Sequence, residues 1–240
     1  MQRLFAVMLL VAMAGANPAA GQTSEHNWER CQDPSDRQAA IDACTALIQS
    51  GGETPGRLAV AFNNRGYAYR RQGLNDSAIA DFTEAIKADP RYALALVNRA
   101  DAYSAIDQFD RAIADLDRAI QIDPESAPAF NDRCWTRAIR GALNEALADC
   151  DEALRLRPHA AVTLDSRGFV YLRLDRPELA IADYDAALAQ RPTAATSLYG
   201  RGLAHLRQRD LADGARDIEA AERIRPDIAA QFRRWGMTTP

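Results

Sequence analysis

Pro90, Pro124, Pro158, Pro192 and Pro226 follow one another at intervals of 34 residues. So strict a spacing marks a repeat array, in which a short unit stacks on copies of itself. Numbering each unit so that its proline is position 32 starts the five units at Ala59, Ala93, Ala127, Ala161 and Ala195. Position 8 is then always small: Gly66, Ala100, Cys134, Gly168 and Gly202. So is position 20, with Ala78, Ala112, Ala146, Ala180 and Gly214, and position 27, with Ala85, Ala119, Ala153, Ala187 and Ala221. Larger apolar residues hold position 4 (Phe62, Leu96, Phe130, Leu164, Leu198) and position 24 (Phe82, Leu116, Cys150, Tyr184, Ile218).

This pattern reads as two helices per unit. Small residues at 8, 20 and 27 let the helices approach closely, and the larger ones fill the gaps at helical spacing. The turn falls near positions 14–17, as in Gln72-Gly73-Leu74-Asn75. The proline ends the second helix because it cannot continue it.

At these residues the sequence resembles the tetratricopeptide repeat family, over roughly 59–226. The resemblance implies an all-α fold, a right-handed α-solenoid of helix-turn-helix units at 59–92, 93–126, 127–160, 161–194 and 195–226. An array needs caps on its open ends. Residues 22–58 read as a degenerate N-terminal capping repeat, with a second helix over 37–52. Residues 227–240 read as a capping helix and tail, with Ile228, Phe232 and Trp235 on one side.

In the family the first helices line a concave groove, usually through positions 2, 5, 9, 12 and 13. Carried onto this sequence, these positions nominate Asn63, Tyr67, Arg70, Asn131, Trp135, Asp165, Phe169, Arg173 and Tyr199 as partner-binding residues. Asparagines suit the backbone of an extended peptide or helix, and aromatics give apolar anchors. The lysines that one subtype places at position 2 to grip C-terminal carboxylates are replaced by Val60, Leu94, Pro128, Val162 and Thr196, so that specificity is not expected.

Two positions depart from the family pattern in every unit. Position 7, usually leucine, is Arg65, Arg99, Arg133, Arg167 and Arg201, and position 23, usually aromatic, is Asp81, Asp115, Asp149, Asp183 and Asp217. Both lie level across the hairpin, where a planar guanidinium suits a carboxylate. Five structural ion pairs are expected, partly shielded from water.

Cys134 and Cys150, at positions 8 and 24, also lie level across a hairpin. Cys31 and Cys44 flank a turn at Asp33-Pro34-Ser35-Asp36. Zinc would want closely spaced cysteines or a neighbouring histidine, and a catalytic thiol a histidine and some exposure. His26, His159 and His205 are placed for neither. An even cysteine count behind an export leader favours disulfides Cys31–Cys44 and Cys134–Cys150; four free thiols would suit a cytosolic chain.

The leader is read from residues 1–21. Arg3 precedes an apolar run from Leu4 to about Ala14, with small residues around Pro18, and cleavage is placed after Gly21 or Ala16. The run is short for a bilayer span. A net charge of −4 with no basic patch gives no reason to expect nucleic acid. No nucleophile elbow, phosphate-cradling loop or HExxH motif is present, so neither enzyme activity nor a metal or cofactor is expected. The expected function is a non-enzymatic scaffold of the bacterial cell envelope, exported to the periplasm and holding a peptide or helix of a partner protein. A cytosolic co-chaperone-like scaffold and an accessory subunit of an envelope hydrolase are the alternatives.

Overall fold

The computed structural model describes the backbone of residues 18–238, with side chains from Ser24. The leader read over 1–21 lies outside these residues except for Pro18–Gly21, which open the first helix. The described residues form thirteen helices and no strand. Helices α1 (Pro18–Gln32) and α2 (Arg37–Ser50) make a first hairpin. The five registered units follow as α3 (Pro55–Arg71) with α4 (Asn75–Ala88), α5 (Ala93–Ala105) with α6 (Phe109–Ile122), α7 (Ala127–Arg140) with α8 (Leu143–Leu156), α9 (Ala161–Arg173) with α10 (Pro177–Gln190), and α11 (Ala195–Arg207) with α12 (Leu211–Ile224). A short helix, α13 (Ile228–Arg234), completes the series. Each hairpin packs on the next, and the first helices of successive units touch one another. The result is an all-α helical-repeat solenoid.

Local chemistry sets the boundaries. Helices α4, α6, α8, α10 and α12 stop two residues before their prolines, because the residue preceding a proline is driven to extended backbone. Asp89 shows it, at φ −136° and ψ 98°. Within each hairpin, position 15 takes the left-handed conformation, as glycine in Gly73 and Gly141 but as Asp107, Asp175 and Arg209 elsewhere. The turn geometry therefore repeats where the residue type does not. Helix α3 starts four residues ahead of position 1, because Thr54 accepts from the Arg57 amide as N-cap and Pro55 occupies the first helical position.

Packing across each hairpin follows complementary volumes. A Cβ added to Gly66 would lie 2.9 Å from the Phe82 ring, and one added to Gly168 would lie 3.0 Å from Tyr184. Where position 24 is the smaller Leu116, position 8 can be Ala100. Where both positions are cysteine, the pair fits as a disulfide. Ala78, Ala112, Ala146 and Ala180, at position 20, are fully buried.

Candidate functional site: the inner face and its occupant

The arginine at position 7 grips the aspartate at position 23 with two parallel hydrogen bonds. Nε and Nη2 of Arg65 reach Asp81 at 2.8 Å each, and those of Arg99 reach Asp115 at 2.7 Å each. Arg133–Asp149, Arg167–Asp183 and Arg201–Asp217 repeat the fork at 2.6–2.9 Å. The aspartates are buried, and the hydrogen bonds that each arginine donates to its aspartate raise the pKa of Arg65, Arg99, Arg167 and Arg201 above the usual guanidinium value. The remaining nitrogen, Nη1, reaches back to the preceding hairpin. Its acceptors are Thr45 and Thr83 at 3.0 Å, then Asp117, Asp151 and Asp185 at 2.6–2.8 Å. Each arginine therefore closes its own hairpin and ties it to the neighbour. Sequence reasoning missed the second half, although the acceptors from Thr83 on recur at position 25. Arg137 adds a second guanidinium to Asp149, at 2.7 Å.

Cys31–Cys44 and Cys134–Cys150 are disulfides, with Cα separations of 4.8 and 5.4 Å. All four cysteines are buried. They staple the first hairpin and the middle registered one.

The first helices α3, α5 and α7 line a cavity of about 440 Å³, closed on its far side by Gln231, Arg234 and Trp235. Arg70, Asp101, Asp132 and Trp135 face it. Arg70 pairs with Asp101, with Nε 2.9 Å from a carboxylate oxygen. Tyr67, three residues earlier on α3, lines a separate small pocket with Cys31 and Ala40 and is 39% exposed. Asp132 was not singled out from the sequence. Burial, with a smaller push from the Asp101 charge, lifts its carboxyl to about 6 against one hydrogen bond from Asn131.

That shift has a defined sign. Asp132 binds its proton more tightly in the folded chain than in the unfolded one, so stability is complete below pH 4 and falls as pH rises towards 6. Asp132→Asn is expected to raise stability at pH 8 by on the order of 2 kcal/mol and to leave it nearly unchanged at pH 4. Paired urea titrations at the two pH values check this. A gain of equal size at both would mean that the carboxylate charge is not the cause.

The other nominated residues divide sharply. Asn63 and Asn131 are buried in the seam between repeats: the Asn98 amide donates to Asn63 at 2.8 Å, and Asn131 donates to Asp132 at 3.2 Å. Asn63 has both of its polar atoms engaged within the array, whereas Oδ1 of Asn131 is buried without a hydrogen-bond partner. Asp165 accepts from the Ser197 hydroxyl, and burial raises its pKa. Phe169 and Tyr199 are 1% and 4% exposed. What covers them is α13. Phe232 stacks against Tyr199 with ring centres 4.7 Å apart and against Phe169 at 6.0 Å. Trp235 meets the half-buried Trp135 edge-on at 4.7 Å and Phe169 at 5.9 Å. Arg173 donates from Nη1 to the Trp235 carbonyl at 3.0 Å and to the Ala138 carbonyl at 3.1 Å. Helix α13 thus reaches two units back along the inner face.

Among the described residues, His205, Asp210 and Asp213 bring three metal-capable atoms together. Asp210 accepts from the Asp213 amide at the start of α12 and Asp213 pairs with Arg216, while Nδ1 of His205 lies 3.5 Å from Asp210 and is buried without a hydrogen-bond partner. No described helix is long and apolar enough to cross a membrane.

Stacked antiparallel helix pairs with inward-facing first helices define a helical-repeat scaffold. A model of the tetratricopeptide repeat family matches residues 63–127 and 167–227, more than half of the chain. The chain belongs to the tetratricopeptide repeat family. Among solved structures, a tetratricopeptide repeat protein of Parabacteroides merdae is similar with a TM-score of 0.70 at 20% identity, over 90% of both chains. One of Thermus thermophilus scores 0.61 at 20% identity, over 78% of this chain and 98% of that one. YrrB, described as having an unusual peptide-binding site, scores 0.57 at 17% identity, over 82% of this chain and all of its own. At these identities the likeness is one of fold. No curated protein matches the chain.

Proposed function

We propose that this chain is a non-enzymatic adaptor of the cell envelope, which holds a peptide or helix of a partner protein against its inner face. One observation carries the reading. The units repeat closely where they build the array, in the arginine–aspartate forks and the small packing positions, and diverge on the inward side of the first helices. There the Arg70–Asp101 pair, Asp132 and Trp135 differ from unit to unit around a cavity, and Tyr67 is exposed three residues before Arg70 on the same helix. Variation gathered around one cavity is what recognition requires and folding does not. Two buried disulfides and the leader read in residues 1–21 support export into an oxidising compartment, the periplasm in a bacterium.

The test is in-cell capture with a photo-crosslinking residue at Tyr67, which is exposed on the inner face and away from α13. A discrete crosslinked protein, lost on Trp135→Ala or on Arg70→Ala, is the expected result. The mature N-terminus of the same preparation should begin at Asn17 or Gln22. A folded, exported protein that captures nothing at Tyr67 would remove the inner face as the working surface. An intact Met1 would place the chain elsewhere.

A further inference from the structure

Helix α13 is built like a bound ligand. It has seven residues, too few to hold helical structure on their own. Its order comes from what it touches. Ile228, Phe232 and Met237 are buried, and Phe232 and Trp235, three residues apart, present their rings to Tyr199, Phe169 and Trp135. At its C-terminus Gly236 adopts φ 79° and donates to the Arg233 carbonyl, while the Met237 amide donates to that of Phe232 at 2.9 Å. This is a Schellman cap, and it satisfies two of the terminal carbonyls. The carbonyl of Trp235 is left for Arg173.

The receptor side is equally specific, and it sits where the array breaks its own pattern. Arg207, one unit on, makes the same bond as Arg173, to the carbonyl of position 12 in the preceding unit, and also finds a carboxylate, Asp175 at 3.2 Å. The residue equivalent to Asp175 beside Arg173 is Gly141. Arg173 is in no ion pair among the described residues, burial lowers its pKa, and its free N–H is spent on a helix end, where the dipole favours a cation. Trp135 and Phe169, both at position 9, give two successive units an aromatic wall here, and Tyr199 extends it into the next.

We propose that α13 is a resident, displaceable ligand of this stretch, and that the partner presents in its place a short helix with aromatic side chains three residues apart and a carbonyl at its C-terminal cap for Arg173. This deepens the adaptor reading and rests on it. The tether gives α13 an effective concentration on the order of millimolar, so a partner helix must compete with it and the groove stays shut to weak ligands.

The probe is a fluorescein-labelled peptide of residues 226–240, titrated by anisotropy against the full chain and against the full chain carrying Phe232→Ala and Trp235→Ala. The double variant is expected to bind the peptide at least ~10-fold more tightly than the native chain does. Adding Trp135→Ala should reverse that gain, and a host peptide of alanine and glutamine keeping only the Phe-x-x-Trp-Gly pattern should bind within a few-fold of the original. Trp235→Ala alone, which leaves Ile228 and Phe232 seated, serves if the double variant loses its helical circular dichroism. No binding to a folded variant, or equal binding to variant and native chain, overturns the proposal and leaves α13 as a cap. Neither result touches the Tyr67 crosslink, so the adaptor reading stands or falls separately.

Discussion

Asp149→Ala is expected to lower stability by about 3–4 kcal/mol, while Asp149→Leu combined with Arg133→Met costs under about 1.5 kcal/mol. The reason is the company Asp149 keeps. It takes a two-bond fork from Arg133 and a third bond from Arg137, and its side chain is 5% exposed. Truncating the carboxylate strands two guanidiniums in a seam with little water. Asp117 stays within reach of Arg133 at 2.6 Å but is 42% exposed and already engaged, so it offsets only part of the loss. Removing both members of the fork takes one guanidinium away with the carboxylate and frees Asp117, 3.8 Å from Arg137, to pair with the other. Urea midpoints of the two variants decide the matter. Equal losses would mean that water reaches the fork and the pair contributes little.

The second large effect concerns the middle staple. Replacing Cys134 and Cys150 together by alanine is expected to cost about 3 kcal/mol, from the restored freedom of a loop with a sequence separation of 16. Both cysteines are fully buried between α7 and α8, so lost packing adds to the entropic term. The same change at Cys31 and Cys44 frees a loop of similar length but acts on a terminal hairpin, which has one neighbour instead of two. The middle staple should therefore dominate the urea midpoint of the whole array, and the terminal one the fraying of its first hairpin. An unchanged midpoint for the Cys134/Cys150 variant, or for the native chain under strong reductant, would sink this account.

Most of the array was legible in the sequence because its determinants are local and periodic. The prolines stop helices, Gly66 and Gly168 at position 8 face the aromatics Phe82 and Tyr184 at position 24, and the charges at 7 and 23 are level across a tight turn. Each relation fits within one repeat and recurs, so the register exposes it. The inner face was less legible. Asn63 looks like a ligand-binding amide by position, yet whether an amide faces a groove or a seam depends on the neighbouring unit's side chains, here Asn98. The apolar side of α13 was visible in Ile228, Phe232 and Trp235. Its destination was not, because nothing in a single unpaired helix records which surface it folds onto. The link from position 7 to position 25 escaped for another reason. Its acceptors run Thr45, Thr83, Asp117, Asp151, Asp185, and a hydroxyl and a carboxylate do the same work without looking alike.

That last series has a mechanical consequence. The forks within hairpins are the same along the array, but the couplings between hairpins are not: the first two end on neutral hydroxyls and the next three on charged carboxylates. A chain of equal links joined by unequal springs does not flex evenly. Rising ionic strength loosens the three couplings to the partly exposed carboxylates Asp117, Asp151 and Asp185 and leaves the two hydroxyl couplings nearly unchanged. A partner seated near Tyr67 would meet the couplings that salt spares, and one competing with α13 those that salt weakens.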